Sequence, residues 1–290
     1  WAAYAGDDGR VEAFAKAYCD FINNGKTERE CVAYGEKLAK AHGFEDLNAV
    51  IREGKKLEAG ARVYVNWMGK SFMLFVLGEK PLEEGMNILG AHIDSPRIDV
   101  KQNPLYEDTD LAYLDTHYYG GIKKYQWVAM PLALHGVIVR KTGEKVIINI
   151  GEDENDPVFC ISDLLVHLAQ EQMAKNAKEV VEGEALNLIV GGRPLEGEEK
   201  DAVKANVLKL LADKYGVEEE DFLSAELEIV PAGKARDMGF DRSMILGYGH
   251  DDRVCAYPSM MAVLDYEGTP DYTLCCIVTD KEEIGSVGAT

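Results

Sequence analysis

Residues 88–101 read ILGAHIDSPRIDVK, and the reading of the whole chain starts from them. The apolar run at 86–89 has the look of a buried strand, and Gly90-Ala91 lets the backbone pack tightly at its end. His92, Asp94, Arg97 and Asp99 then fall within eight residues. In an extended segment, residues i and i+2 point to the same side. Asp94 is therefore placed to orient the His92 imidazole or to stand close to a metal that it binds, as carboxylates do for metal-bound histidines generally.

Two acidic clusters far down the chain belong with this one. Residues 249–253 read GHDDR, in a loop leading into a helix whose predicted apolar face carries Ala256, Ser259, Met260 and Val263. Pro258 is tolerable there if it falls in the first turn. Residues 272–278 form an apolar, β-branched run of buried-strand type that ends in TDKEEIGS, residues 279–286. A second strand thus delivers a pair of carboxylates from its end, where ligands sit in open α/β sheets. Two divalent metals about 3.5–4 Å apart need imidazole and carboxylate ligands, with one carboxylate shared. His92, Asp251 and Glu283 supply these from three element ends. Glu282 and Glu283 cannot both point the same way in extended backbone, so one is left to serve as general base. Taken singly, each cluster also fits an ordinary satisfied histidine, a solvated acidic pair or a helix cap. Three of them, each beside an apolar element, favour a metallohydrolase.

The intervening chain is predicted as follows. Residues 9–24 repeat apolar positions at helical spacing, and Thr27 with Glu30 reads as a capping box opening a second helix. His42 reads as a helix C-terminal residue. Residues 61–67 and 71–77 read as a hairpin. After Lys101 the texture changes: 103–108 is turn-rich, 134–139 and 144–150 form a hairpin, 163–174 and 202–215 are helices, and 223–230 alternates as a strand. The expected organisation is a catalytic core over 1–101 and 237–290, interrupted by an inserted domain over 102–236.

The formal net charge of the 290 residues is −20, from 51 acidic and 31 basic side chains. That balance argues against nucleic-acid or anionic-membrane binding. No window reaches the length of a membrane span. Six cysteines without framework spacing suggest a reducing cytoplasm. The opening lacks a basic and apolar leader and an initiator methionine.

AHIDSP, GHDDR and DKEEIGS together, with PAGKARDMGFDRSMILGYG ahead of the second, resemble the M18 family of metalloaminopeptidases, the aspartyl aminopeptidase and vacuolar aminopeptidase I group. The resemblance implies an α/β/α core sheet of the zinc-aminopeptidase type with a large inserted β-rich domain. It implies two Zn²⁺ per subunit, with Co²⁺ or Mn²⁺ as other divalent occupants, and removal of an acidic or neutral N-terminal residue from peptides. His92 is then a metal ligand, Asp94 its supporting carboxylate, Glu282 the general base and Glu283 the second metal ligand. Asp251 takes the bridging position. Relatives read RLDNL there, and the Asp-Asp-Arg spelling resembles the neighbouring M42 family of glutamyl and deblocking aminopeptidases, so Asp252 stands as the alternative bridge.

Residues 162–170, SDLLVHLAQ, resemble a family segment in which a histidine reaches a neighbouring subunit's active site, and His167 falls on that position. The resemblance further implies dimers through the inserted domain and twelve-subunit particles. Two more ligands, an Asp and a His, are expected beyond Thr290, with part of the core sheet missing for the same reason. The reading from a different class is a non-catalytic scaffold that keeps the fold without its metals.

Overall fold

The computed structural model describes residues 2–288. Trp1 and Thr290, on which the expectations about chain start and chain end fall, lie outside them. In chain order the regular elements begin with α1 (Asp8–Asn24), α2 (Glu28–Ala41), β1 (Glu45–Asp46), α3 (Leu47–Arg52), β2 (Arg62–Trp67), β3 (Ser71–Val76) and β4 (Met86–His92). They continue with β5 (Arg97–Asp108), β6 (Leu111–Tyr119), β7 (Leu132–Val139), β8 (Lys145–Ile150), α4 (Gln170–Met173), β9 (Leu188–Gly191), α5 (Ala202–Tyr215) and β10 (Ala225–Pro231). The last are β11 (Arg236–Met238), β12 (Met244–Leu246), α6 (His250–Leu264) and β13 (Thr273–Thr279). The chain divides into two compact units, one from residues up to Ser95 together with those from Lys234, the other Pro96–Gly233.

In the first unit, local chemistry sets the helices. The Thr27 side chain accepts from the Glu30 amide at 3.2 Å, and Glu30 accepts in return from the Thr27 amide at 3.1 Å. This reciprocal pair satisfies two amides that a helix start leaves without partners. His42 is the C-cap of α2; its Nδ1 donates to the Leu38 carbonyl at 2.8 Å, as expected of a helix-end residue. The sheet runs β1-β2-β3-β13-β4, with β13 antiparallel to β3 and parallel to β4. Phe21, Phe72, Leu74, Ile93, Met260 and Val278 form its buried core with α1, α2 and α6. Fully burying side chains of this size is worth about 1.5–3 kcal/mol each, which is what fixes the helices onto the sheet.

Two expectations fail here for identifiable reasons. The 86–89 run is a strand, but not a buried one. Among the described residues β4 pairs only with β13, and Ile88 and Leu89 are 58% and 40% exposed. Pro258 is not in the first turn of a regular helix. Asp251 and Asp252 have non-helical torsions, so regular helix begins beyond them and Pro258 lies inside it. A proline there cannot donate to the carbonyl four residues back, that of half-exposed Val254, where water can take its place.

The second unit is a six-stranded antiparallel sheet, β8-β7-β10-β5-β6-β9, with α5 against it. The predicted turn at 103–108 is instead part of the long β5. Asn103-Pro104 falls where the β5–β6 register shifts, between Val100 and Leu105. A bulge tolerates a residue that has no ladder donor, which is why turn-like composition sits inside a strand here. The predicted helix at 163–174 is also absent apart from α4. Leu164, Leu165, Val166 and Leu168 are all more than half exposed, so no apolar face is buried to hold a helix together.

Candidate metal centre

The register of two parallel strands brings the site together. Thr279 of β13 lies opposite His92 of β4, and the Ile93 amide donates to the Thr279 carbonyl at 2.9 Å. Both motif-bearing strands therefore end at one level. Each releases its polar residues at its carboxyl end, Ile93–Ser95 from β4 and Asp280–Glu283 from β13.

The three residues after β4 tie all three clusters together. The Asp94 side chain is fully buried and accepts from the Glu282 amide at 3.3 Å (Oδ1) and from the Glu283 amide at 3.2 Å (Oδ2). The Ser95 hydroxyl donates to the Asp251 carbonyl at 2.6 Å. The buried Arg253 donates from Nε to the Ile93 carbonyl at 3.1 Å and from Nη2 to the Lys26 carbonyl at 2.9 Å. Gly249 makes room for that guanidinium. It has φ +83°, and a Cβ at this position would stand 2.0 Å from Arg253 Nη1.

His92 Nδ1 donates to the Asp94 backbone carbonyl at 3.1 Å and lies 3.4 Å from Asp94 Oδ1. The opposite nitrogen, Nε2, is thereby left facing Asp251 Oδ1 at 3.3 Å and Glu282 Oε2 at 3.5 Å. Burial alone would lower the His92 pKa. The hydrogen bonds and charge of Asp94, with the charge of Glu282, outweigh it and raise the value to about 9. Burial and the neighbouring Asp251 charge raise the Glu283 pKa. A cation placed here reverses that balance, because it pairs with the carboxylates and displaces the imidazole proton.

The donor set fits such a cation. One ligand atom each from His92, Asp251 and Glu283 lies within 4.8 Å of the others. Two donors in a tetrahedral zinc shell at 2.0–2.1 Å stand roughly 3.3 Å apart, the separation of His92 Nε2 and Asp251 Oδ1. Glu283 Oε1 is buried and has no hydrogen-bond partner among the described residues. Such an orphaned oxygen is expensive unless something positive faces it. The neighbouring Asp252 carboxylate raises the Cys255 thiol pKa.

The other residues singled out in the sequence do different things. Arg97 is buried in the second unit, 2.7 Å from Asp99 and 3.1 Å from Glu228, over the Tyr119 ring. His167 is exposed on a turn of the second unit, and exposed His117 stacks on Tyr118. A group that sequence reasoning missed lies directly behind the Glu pair. Asp280 is buried 4.0 Å from Lys70 Nζ, which also pairs with buried Glu28. Burial and the Glu28 charge raise the Asp280 pKa. Nothing in the spacing of residues 28, 70 and 280 announces this. His250 is likewise unforeseen; it hydrogen-bonds Tyr18 at 2.8 Å.

Known proteins resemble this chain over most of its length. The family profile of the aminopeptidase I zinc metalloproteases (M18) matches residues 21–290. A probable M18 family aminopeptidase 1 of Clostridium acetobutylicum is 58% identical over 281 residues, 97% of this chain and 60% of the relative. The crystal structure of aminopeptidase I from Clostridium acetobutylicum superposes with a TM-score of 0.90 at 54% identity, over 100% of this chain and 64% of the other. The mApe1 dodecamer of S. cerevisiae shares the fold at a TM-score of 0.70 and 20% identity, over 96% of this chain and 63% of its own. The chain thus spans about three-fifths of the length of these relatives. It belongs to the M18 family of aminopeptidase I zinc metalloproteases.

Proposed function

We propose that the protein containing this chain is a two-metal aminopeptidase that removes the N-terminal residue from peptides. The observation that carries this reading is the convergence of His92, Asp251 and Glu283, with the Glu282 carboxylate beside them, at the carboxyl ends of two parallel strands. His92, Asp251 and Glu283 would hold the metals, with Asp251 as the ligand they would share. Zinc is the expected occupant, with Co²⁺ or Mn²⁺ able to take its place. When bound, the metal pair supplies Lewis-acid polarisation of the scissile carbonyl and of the attacking water.

The side chains do the rest. Glu282 takes a proton from the attacking water at its carboxylate and returns it to the leaving amine nitrogen, a role worth about 10²–10⁴-fold in rate. Asp94 touches no substrate; through both glutamate amides and His92 it holds base and ligands in register. The preferred N-terminal residue is acidic or neutral.

Two finer features belong to this reading. The second unit acts as an inserted substrate and dimerisation domain, and the protein assembles to dimers and dodecamers. The exposed apolar stretch around His167 supports this, because a buried partner surface would cover Leu164, Leu165, Val166 and Leu168. His167 then completes a neighbouring subunit's site. The core sheet continues beyond β4; its exposed Ile88 and Leu89 and its free edge are surfaces that further strands would cover. All six cysteines are free, which suits a reducing cytoplasm. Among the described residues no helix is long and apolar enough to cross a membrane.

The test is hydrolysis of aminoacyl p-nitroanilides by the full-length protein before and after chelation. Activity should vanish with the metal and return with zinc. Hydrolysis indifferent to chelation would overturn the proposal, and a metal-free, inactive preparation would favour the scaffold.

A further inference from the structure

The sheet of the second unit and the helix lying on it do not close on each other. Between them is a cavity of about 270 Å³. Leu134, Ile148, Ile150 and Leu227 line it from the sheet, and Val207 and Leu211 from α5. The strand pairing brings several of these lining residues side by side. Residues 134, 136 and 138 of β7 share a face, and opposite 136 stand Ile148 and Leu227. Residue 136 is Gly136, where β7 runs against the β10 backbone without an intervening side chain. None can be added, since a Cβ there would meet the Glu226 carbonyl oxygen at 2.0 Å.

Protein interiors rarely keep voids larger than a water molecule. A space this size with apolar walls does not hold water well, because a buried water needs polar partners. Cavities of about 150 Å³ lined by such side chains stay dry and take up benzene. By proportion this one accommodates about eleven heavy atoms. Its lining contains one charged residue, Lys214, in the last turn of α5. The Lys214 ammonium lies over the Tyr215 ring and 3.9 Å from Asp156, a loose pairing that a better anion can replace.

We propose that this cavity is a binding site for a medium-chain fatty carboxylate, its alkyl tail between the sheet and α5 and its head group at Lys214. None of these residues takes part in the metal centre, so the site is independent of the peptidase reading. The chain's net charge of −20 opposes an anion at long range. The affinity therefore comes from the apolar walls, and Lys214 selects the head group.

The experiment is calorimetric titration of the protein with decanoate, kept below its micelle-forming concentration, and with decanol as the neutral probe. One decanoate should bind per chain. Val207→Phe, which fills the space, should abolish binding of both probes while circular dichroism shows a folded chain. Lys214→Ala should weaken decanoate about fivefold, the worth of a half-exposed ion pair, and leave decanol unchanged. Should Val207→Phe not fold, the Lys214 comparison decides alone. No saturable heat with decanoate, several molecules per chain, or unaltered decanoate affinity in either folded variant would overturn the proposal.

Discussion

Replacing Asp94 with asparagine tests how the centre is held. In the native chain one buried carboxylate serves two backbone amides, those of Glu282 and Glu283, through its two oxygens, while Oδ1 also stands 3.4 Å from His92 Nδ1. Asparagine is nearly the same size but has a single acceptor oxygen. Whichever way it is turned, its NH₂ group faces one of the two amides, donor against donor. Leaving a buried N–H without an acceptor costs about 1–3 kcal/mol. The same change removes the charge that steadies the imidazole, and losses of this kind lower metal affinity about 10–100-fold.

The assays are urea denaturation of the metal-free protein and zinc competition against a chromophoric chelator. Asp94→Asn should lose about 1–3 kcal/mol of stability and about one to two decades of zinc affinity. Asp94→Ala, which leaves both amides without an acceptor, should lose more of each. Zinc affinity within about twofold of the native value would refute the reasoning, because it would mean that the ligands hold their places without Asp94.

Glu282→Gln should retain zinc and lower turnover about 10²–10⁴-fold, whereas Glu283→Gln should lose zinc; metal analysis beside steady-state kinetics separates the two. Arg253→Met should shift urea unfolding by about 3–5 kcal/mol, since it deprives the Ile93 and Lys26 carbonyls of charge-assisted donors in a fully buried place, and a shift below about 1 kcal/mol would contradict that role. His167→Ala should leave zinc content unchanged and slow hydrolysis in the assembled protein, and full activity in a monomeric variant would remove His167 from the proposal.

The residues that converge on the site were legible because chemistry and periodicity coincide there. His92 and Glu283 each follow an apolar run with strand spacing, and Asp251 precedes a helix, so the element ends could be placed without knowing the sheet order. What the sequence does not display is the wiring between them. That Asp94 serves amides 188 and 189 positions away follows only from β4 and β13 being parallel neighbours with Thr279 beside His92. The Lys70, Glu28 and Asp280 group is hidden for the same reason. The misread segments share another cause, composition overridden by context. Asn103-Pro104 spells a turn, yet sits in a bulged strand. Residues 163–169 carry leucines at helical spacing, yet these stay more than half exposed among the described residues. The apolar β4 run reads as buried but lies at the sheet edge among the described residues.

The central claim is that His92, Asp251 and Glu283 bind metal together. Anomalous diffraction at the zinc absorption edge, on crystals of the full-length protein, tests it most directly. The account predicts two peaks about 3.5–4 Å apart, with Asp251 touching both, His92 Nε2 on one and Glu283 on the other. Zinc found away from these three side chains, or a zinc-loaded crystal with no peak among them, would contradict it.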